Sequence, residues 1–403
     1  MATVTITGAN GAPVTLNVPA QATSLVSGFN SAIIAALGST GNLVSQTLTG
    51  DTVPTPSTVP GAVNMLSIDT NPTGAITIPS GYQFVLLTDS TSGDSSAITV
   101  SGGSSSGATL MATRAAVVFQ AGSGNDTYSA AGANDTIWGG SGTVTMNLAG
   151  TNGLVAGGSG DATFADHGTG TTVVAGSGNS LVFAAGTNGL AFTGGHATIV
   201  GGSSLESVVG GNSGSAETIY AGTGGIVFFG GSSATTFIGG SSASTVVGGS
   251  AAETIFGTDG SVTNFFGSSD GNLFIAGSGN ETLNAAGSTG KNAFFAGSGA
   301  DSLVAGSGDD TLLGGTGNAT LTGGAGANTF IFTVGQGGGA DLISDFSAAD
   351  KLQIVGQSVS SVLATAQTVA GIGGAAVSAT VTLSDNTKIT FQGVSSLNNT
   401  NFS

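Results

Sequence analysis

The chain has 403 residues, of which 73 are glycine, and only 6% are charged. A formal net charge of −17 with four basic residues excludes a basic surface for phosphate backbones, so no nucleic-acid partner is expected. Cysteine is absent, which excludes disulfides, thiol nucleophiles and cysteine-ligated zinc. Divalent cations are the natural counter-charge of such an acidic chain.

Residues 1–115 show no clear repeat, and we expect an N-terminal β-rich domain with one short helix. Alternating side chains predict strands over Thr3–Thr7 and Val14–Val18. Apolar residues on one helical face predict an amphipathic helix over Ala22–Leu37. A proline cluster from Val53 to Pro60 then predicts turns. Further β-type runs follow at Ala75–Ile78, Gln83–Thr88, Ala97–Val100 and Ala115–Phe119.

A nonapeptide period dominates from Ala121 onwards. The stretch Ala121–Ser129 is one unit, and Asp135 occupies the place in the next unit that Asp126 has in this one. Paired glycines permit a sharp turn in each unit, and the β-branched or aromatic residues that follow form a short strand. Alternate side chains point inward, so stacked units share a continuous core that no single unit could bury.

The complete units resemble the repeat of the RTX, or hemolysin-type calcium-binding, family, whose pattern is G-G-x-G-x-D-x-U-x with U apolar. The resemblance is fullest at Ala121–Ser129 and Ala296–Leu313. It implies a parallel β-roll with two repeats per turn and calcium between turn loops on the same edge. The predicted fold is therefore all-β: a right-handed parallel β-solenoid over residues 116–332, followed by a C-terminal cap over residues 333–403.

The C-terminal region is similar to segments that follow RTX repeats. Asp341–Phe346 with Asp350–Leu352 resembles one such segment, and Asp385–Val394 with Asn401 and Phe402 resembles the end of type I secretion substrates. The start of the sequence lacks the basic and long apolar stretches of a signal peptide. The resemblance implies export by a type I secretion machinery to the exterior or cell surface of a Gram-negative bacterium.

Most units have lost the acidic residue of the signature. With two repeats per turn, same-edge partners lie about eighteen residues apart. Asp126 then faces Val144, Asp135 faces Gly153 and Asp310 faces Asn328, while Glu281 and Asp301 share an edge across a longer unit. The candidate calcium ligands are Asp126, Asp135, Glu281, Asp301, Asp310 and Asn328.

Two alternatives to calcium binding follow from the same pattern. The segment Val144–Val247 has almost no carboxylates in the ligand position, so we expect hydrogen bonds and apolar stacking to hold its turns. The remaining acids could also be vestigial, or solvated turn residues, since turns lie at the surface.

No catalytic constellation emerges from the sequence, and we predict no enzyme activity. His167 and His196 lie in glycine-rich contexts and are expected to be surface turn residues. No G-x-S-x-G lies between a strand and a helix, and no G-K-[ST] follows the Gly-Ser-Gly runs. Arg114 and Lys291 are too isolated to support a polysaccharide lyase site.

Many units carry a second apolar residue beside the inward one, which would expose an apolar stripe. The ends of a solenoid are open sheet edges that invite pairing. We therefore predict an extracellular structural protein that self-assembles into a surface layer, matrix filament or biofilm scaffold, with calcium-assisted folding. Its partners would be other copies of itself and a cell-surface or matrix polysaccharide.

The alternative is that the N-terminal segment covers the stripe. The chain would then act as a monomeric adhesin or as a glycan- or ice-binding module. The threonines at the repeat positions look too irregular along the sequence to favour ice: Thr127, Thr136, Thr163, Thr218, Thr254, Thr282 and Thr311.

Overall fold

The structure is a computed structural model, and it describes residues 2–6, 14–18, 23–38, 41–88, 96–102, 107–212, 214–258, 263–266, 271–371 and 377–403. The chain divides into two compact units, Met1–Val200 and Gly201–Ser403. Each unit consists mainly of short parallel strands stacked as a β-solenoid, which confirms the predicted fold class. Thr7 and Ala22, the ends of two predicted elements, lie outside the described residues.

The first unit begins with an antiparallel pair of strands and a helix, α1 (Thr23–Leu37). Its strands, in chain order, are β1 (Ala2–Ile6), β2 (Val14–Val18), β3 (Asn42–Thr47), β4 (Ala62–Ile68), β5 (Ile76–Thr77), β6 (Phe84–Leu87), β7 (Ile98–Ser101), β8 (Thr109–Ala112), β9 (Val117–Gln120), β10 (Asp126–Ala130), β11 (Thr136–Trp138), β12 (Val144–Leu148), β13 (Leu154–Ala156), β14 (Ala162–Asp166), β15 (Thr172–Val174), β16 (Ser180–Ala184), β17 (Leu190–Phe192) and β18 (Ala197–Gly201).

Strands two apart in the chain are neighbours in space, so each turn of the solenoid contributes one strand to each of two parallel sheets. Strands β3, β4, β6, β8, β10, β12, β14 and β16 follow one another in the first sheet. Strands β9, β11, β13, β15 and β17 do so in the second. Parallel pairing therefore starts at β3 and continues past residue 115 without a break. The domain boundaries at residues 115 and 332 stay predictions.

The core of the first unit is a set of inward columns, with one side chain per turn. In the first sheet Leu110, Tyr128, Met146 and Phe164 lie in register on consecutive rungs and are fully buried. Because strand side chains alternate, the residues between them face outward. The outward side of the early rungs is also apolar, and α1 packs over it through Val26, Phe29 and Ile33.

The second unit contains the rest of the strands, a short helix α2 (Val359–Leu363) and a 3₁₀ turn at Asn399–Asn401. The strands are β19 (Glu206–Val209), β20 (Glu217–Tyr220), β21 (Ile226–Phe229), β22 (Thr235–Ile238), β23 (Ser244–Val247), β24 (Glu253–Phe256), β25 (Thr263–Phe266), β26 (Leu273–Ile275), β27 (Thr282–Asn284), β28 (Ala293–Phe295), β29 (Ser302–Val304), β30 (Thr311–Leu313), β31 (Thr320–Thr322), β32 (Thr329–Thr333), β33 (Ala340–Ile343), β34 (Lys351–Val355), β35 (Gln367–Ala370), β36 (Val377–Thr382) and β37 (Lys388–Gln392).

The second unit ends in a change of topology. Its rungs continue through β33 and β34, which pair in parallel with β31 and β32. Strand β36 then pairs antiparallel with both β35 and β37, and β37 pairs in parallel with β33. No helix among the described residues has the length and apolar character needed to span a membrane.

Candidate calcium sites at the turn edges

All of the candidate calcium ligands occupy one structural position, the residue at or directly before the start of a strand. At this position the chain leaves a glycine turn, and its side chain points inward beneath the turn. Asp126, Asp135, Glu281, Asp301, Asp310 and Asn328 are each at most 2% exposed. The alternative of solvated turn residues is therefore wrong for all of them.

The predicted edge partners are confirmed by the strand register. Asp126 is paired with Val144, and the register of Thr311 with Thr329 places Asp310 beside Asn328. The register of Thr282 with Ser302 likewise places Glu281 beside Asp301. The structure thus brings four of the candidates together in two pairs, whereas Asp126 begins a strand of the first sheet and Asp135 precedes a strand of the second.

One side-chain oxygen at this position ties each turn to the turn before it. It accepts a backbone N–H from the residue at the equivalent place one rung earlier, a group that would otherwise be buried without a partner. The bonds run from Ala108 to Asp126 (2.9 Å), Val117 to Asp135 (2.8 Å), Glu281 to Asp301 (3.0 Å), Asn292 to Asp310 (2.6 Å) and Asp310 to Asn328 (3.0 Å). We call this series of bonds the inter-turn ladder.

The second carboxylate oxygen usually accepts an N–H from its own glycine turn. Asp126 accepts from Gly122 at 3.2 Å, and Asp301 accepts from Gly297 at 2.8 Å. Asp310 accepts from Gly306 at 3.1 Å. The carboxylate thereby holds the turn closed as well as linking it to its neighbour.

The pair Glu281 and Asp301 is electrostatically the most strained of the candidate sites. Burial, followed by the neighbouring Asp301 carboxylate, raises the pKa of Glu281 to about 8. Both carboxylate oxygens of Glu281 are buried without a well-formed hydrogen bond among the described residues. A divalent cation held between these two carboxylates would relieve both the desolvation and the repulsion.

Asp135 has a different environment, because a buried cation already faces it. Burial raises the pKa of Asp135 to about 7, and the positive charge of Arg114 opposes that increase. Arg114 is itself only 3% exposed and donates to the carbonyl oxygens of Thr70 and Ser96. Asp135 therefore fits a divalent ion less well than the Glu281–Asp301 pair does.

Calcium takes six to eight oxygen ligands, and the side chains supply only some of them. Within the described ranges no three histidine, cysteine, aspartate or glutamate side chains cluster closely enough to hold a metal ion. Carboxylates at the ladder position would therefore bind calcium together with carbonyl oxygens of the glycine turns and water. Hard oxygen donors of this kind suit calcium rather than a transition metal.

Sequence reasoning missed several buried acids at the same position. Glu206, Glu217 and Glu253 are each at most 3% exposed. The N–H of Gly211 donates to Glu217, and that of Gly249 to Glu253, both at 2.8 Å. Two of these acids thus occupy the ladder position inside Val144–Val247, where almost no carboxylate was expected.

A local signal could have found them. The same order of residue types, acid-Thr-apolar, occurs at Glu217-Thr218-Ile219, at Glu253-Thr254-Ile255 and at the predicted ligand Glu281 with Thr282 and Leu283. Glutamate in place of aspartate keeps the carboxylate and adds one methylene, so the pattern should be read as acid-Thr-apolar.

Where acids are missing, uncharged side chains continue the ladder in the second unit. The N–H of Ile226 donates to Ser244 Oγ at 3.1 Å. Five such bonds follow one another without a gap, each from a backbone N–H to the side-chain oxygen one rung later. They join Glu253 to Asn272 (3.0 Å), Asn272 to Asn292 (2.9 Å), Asn292 to Asp310 (2.6 Å), Asp310 to Asn328 (3.0 Å) and Asn328 to Asp350 (2.8 Å). The ladder therefore does not depend on charge, since an amide or hydroxyl oxygen accepts the same N–H.

Four segments of the chain match the family model described as the RTX calcium-binding nonapeptide repeat, at residues 118–143, 229–263, 286–321 and 295–330. The chain carries RTX calcium-binding repeats. These repeats are calcium-binding motifs, and RTX repeat proteins are typically secreted by Gram-negative bacteria. The matched segments contain Asp126, Asp135, Asp301, Asp310 and Asn328 but not Glu281. No curated protein matches the chain.

The RTX repeats thus combine two roles at one position. The RTX repeats are calcium-binding motifs, and oxygens of the buried acids at the ladder position hold consecutive turns together. The side chains of the two histidines do not belong to the inter-turn ladder. His167 directly follows β14 and His196 directly precedes β18, and both are exposed, as expected for surface turn residues.

Proposed function

We propose that this chain is an extracellular structural protein whose copies associate through a sheet face into a surface layer, matrix filament or biofilm scaffold. Calcium at the RTX repeats assists its folding. The observation that carries the proposal is an apolar column on the outward side of the second unit, which the described residues leave partly exposed.

The apolar column contains one outward side chain from each of seven consecutive strands. Tyr220 at its start is 43% exposed, and the others are half-buried by their neighbours within the column. Its members are Tyr220, Ile238, Phe256, Ile275, Phe295, Leu313 and Ile331. An apolar surface of this length is unusual for a monomer in water.

A second outward column runs beside it and is also uncharged. It contains Thr218, Thr236, Thr254, Leu273, Ala293, Thr311 and Thr329. The chain has a net charge of −17, so most contacts between two copies would bring carboxylates together and cause repulsion. The two uncharged columns form a face on which two copies can approach without that repulsion. Strands in a sheet repeat every 4.7–4.9 Å, and only a partner with the same period can interdigitate at every rung. A second copy has that period.

The first unit supports this interpretation by contrast. There the outward apolar residues Met65, Phe84 and Leu86 are covered by α1, and the rings of Phe29 and Phe84 pack edge-to-face at 5.6 Å. On these early rungs a helix buries the apolar outward face. The apolar column of the second unit would be buried by another molecule.

The setting of this assembly follows from the repeats and the C-terminal region. RTX repeat proteins are typically secreted by Gram-negative bacteria. We propose that a type I secretion machinery exports the chain unfolded. External calcium would then neutralise the buried carboxylates, which stabilises the folded state because unfolded chains bind the ion weakly.

The test is negative-stain electron microscopy of the full chain, with millimolar calcium and with excess chelator. Ordered filaments or sheets that need calcium are the expected result. Ile275→Lys should abolish them, because it places a charge in the centre of the apolar column. Ser302→Lys, on the other sheet, is the matched control and should assemble normally.

Two results would change the proposal. Ordered assemblies in both solutions would keep the structural role but make calcium incidental to it. Dispersed monomers in both solutions would overturn self-assembly.

A second candidate function has one observation in its favour. The register places Thr109, Thr127, Thr145 and Thr163 on consecutive rungs of the first unit. The threonines are thus more regular in space than they are along the sequence. A monomeric ice-binding module would show thermal hysteresis that Thr145→Lys removes, and absence of hysteresis would eliminate that candidate.

A further inference from the structure

His167 separates two clefts on the surface of the first unit. The larger has a volume of about 470 Å³ and lies between α1 and the outward side of the first sheet. The smaller has a volume of about 220 Å³ and lies on the other side, beside Thr151 and Thr169. His167 lines both clefts. The larger cleft falls within the size range of small-molecule sites in proteins.

His167 stands in a column of alanines, and two of them, Ala131 and Ala149, line the smaller cleft. Backbone hydrogen bonds place Ala131, Ala149, His167 and Ala185 at equivalent positions on consecutive turns: Ala131 to Ala112 (2.9 Å), Ala149 to Ala130 (2.8 Å), His167 to Leu148 (2.8 Å) and Ala185 to Asp166 (2.9 Å). A methyl group fills little of the space that an imidazole fills. Room therefore remains on either side of the ring.

The two walls of the larger cleft differ in chemistry. The helix wall is apolar and includes Leu25, Phe29 and Ala32. The sheet wall carries hydroxyl and amide groups, among them Ser129 and Asn147, and Asn147 Nδ2 donates to Ser129 Oγ at 3.4 Å. Among the residues that the structure describes, no aspartate, glutamate, lysine or arginine lines either cleft.

We propose that the larger cleft binds an uncharged saccharide. Hydroxyl, amide and imidazole groups can both donate to and accept from sugar hydroxyls, while the apolar helix wall suits the C–H face of a pyranose ring. An anionic sugar is disfavoured, since the lining offers no cationic lysine or arginine and the chain has a net charge of −17.

The spacing of the polar wall supports a chain of sugar units. Thr109 and Thr127 line the cleft from adjacent rungs, as do Ser129 and Asn147. Rungs repeat every 4.7–4.9 Å, which is close to the repeat of pyranose units in an extended glycan. This site is independent of the apolar column, so it would hold a matrix glycan whether or not copies of the chain self-assemble.

The experiment titrates the full chain by calorimetry with cellohexaose, chitohexaose, maltohexaose and laminarihexaose, and with hexagalacturonate as the anionic probe. At least one neutral probe should bind. Gly28→Met should weaken that binding about tenfold or more. Gly28 lines the cleft, and a Cβ there meets nothing within 4 Å, so the longer side chain enters the cleft rather than the core.

Ser31→Met is the matched control, because Ser31 is exposed on the same helix and does not line the cleft. Asn147→Ala is a second test and should also weaken binding. Circular dichroism of each variant verifies folding. The proposal is overturned if no neutral probe binds at millimolar concentration, if only hexagalacturonate binds, or if Gly28→Met binds as the original chain does.

Discussion

At the scale of single residues, one position of the repeat holds consecutive turns together. Its side-chain oxygen accepts a buried backbone N–H from the previous rung, whether the residue is Asp301, Asn292 or Ser244. A charge is not required for this bond, which explains why most repeats could lose their acid without losing the fold. Where acids persist, we propose that they also bind calcium.

The residue before it forms a complementary series on the exposed side of the turn. Asn125 accepts the N–H of Thr143 at 3.1 Å, and Asp161 accepts that of Asn179 at 3.0 Å. Neighbouring side chains thus link each turn to the rung before and to the rung after. Because the outer bonds compete with water, they should contribute less to stability than the buried ones.

The buried series predicts a large effect at Asn292. Asn292→Ala removes the acceptor of the Asn272 N–H and leaves buried polar groups without partners, so it should destabilise the folded chain by about 2–4 kcal/mol. Chemical denaturation followed by circular dichroism measures this change. Asn179→Ala on the exposed side is the control and should cost less than about 1 kcal/mol. Equal effects would contradict the assignment.

A pH effect is expected at Asp341. Burial raises the pKa of Asp341 to about 7, above its value of roughly 3.9 in an unfolded chain. The protonated form therefore contributes stability that is present below about pH 4 and is lost as the pH rises through 7. In chelator, Asp341→Asn should reduce the loss of stability between pH 5 and pH 8, by at most about 3 kcal/mol.

Asp385→Asn serves as a control of opposite sign. Burial raises the pKa of Asp385, but hydrogen bonds from Gly335 and Thr387 outweigh it, so that the pKa is lowered overall. The stability from Asp385 is present at neutral pH and is lost as the pH falls below its usual range. Thermal unfolding of both variants at a series of pH values measures how each substitution changes the pH dependence of stability. The argument is refuted if the two substitutions change that dependence in the same direction.

At the scale of elements, glycine columns decide how closely the turns stack. A Cβ at Gly140 would overlap with the carbonyl oxygen of Gly122 in the turn below. Gly140→Ala should therefore push two turns apart and destabilise the first unit by about 2 kcal/mol or more. Gly74→Ala is the control, since a Cβ there meets nothing within 4 Å. Denaturation midpoints of the two variants test this difference.

The strands themselves are too short to be stable alone, and stacking of the inward columns holds them. Phe274 and Phe294 on adjacent rungs stack with ring centroids 4.6 Å apart, and both are fully buried. Each rung contributes few buried residues, so the fold depends on the interfaces between rungs. Stacking of apolar side chains also explains why the partly exposed apolar column of the second unit is a surface on which another molecule could pack.

At the scale of the whole molecule, calcium and folding should be linked through the Glu281–Asp301 pair. Calcium at a hundred times its dissociation constant would stabilise the chain by about 2.7 kcal/mol. Asp301→Asn should reduce the rise in melting temperature on adding calcium, because it removes a carboxylate from the pair. Asp309→Asn makes the same change of charge at an exposed acid and should leave that rise unchanged. If both variants reduced the calcium-dependent rise in melting temperature equally, the effect would come from the net charge of the chain and not from calcium binding at the Glu281–Asp301 pair.

The sequence by itself determined the repeat, the all-β class, the helix at α1 and the pairing of Asp310 with Asn328. These follow from local patterns, because the alternation of side chains and the positions of glycines are written within each repeat. The tertiary structure decided which polar residues are buried, as at Glu217 and Asn292. It also decided which outward faces are covered.

The physical reason is that register is set by inward side chains that stack across turns of unequal length. Val208 pairs with Phe228, and Leu321 pairs with Ile343, at spacings longer than those between Tyr128 and Met146. A fixed count of eighteen residues therefore loses the register at an insertion unless the longer unit is recognised, as it was between Glu281 and Asp301, whereas packing fixes the register at each rung. Columns of threonine or of apolar residues, and the clefts beside them, exist only once that register is fixed.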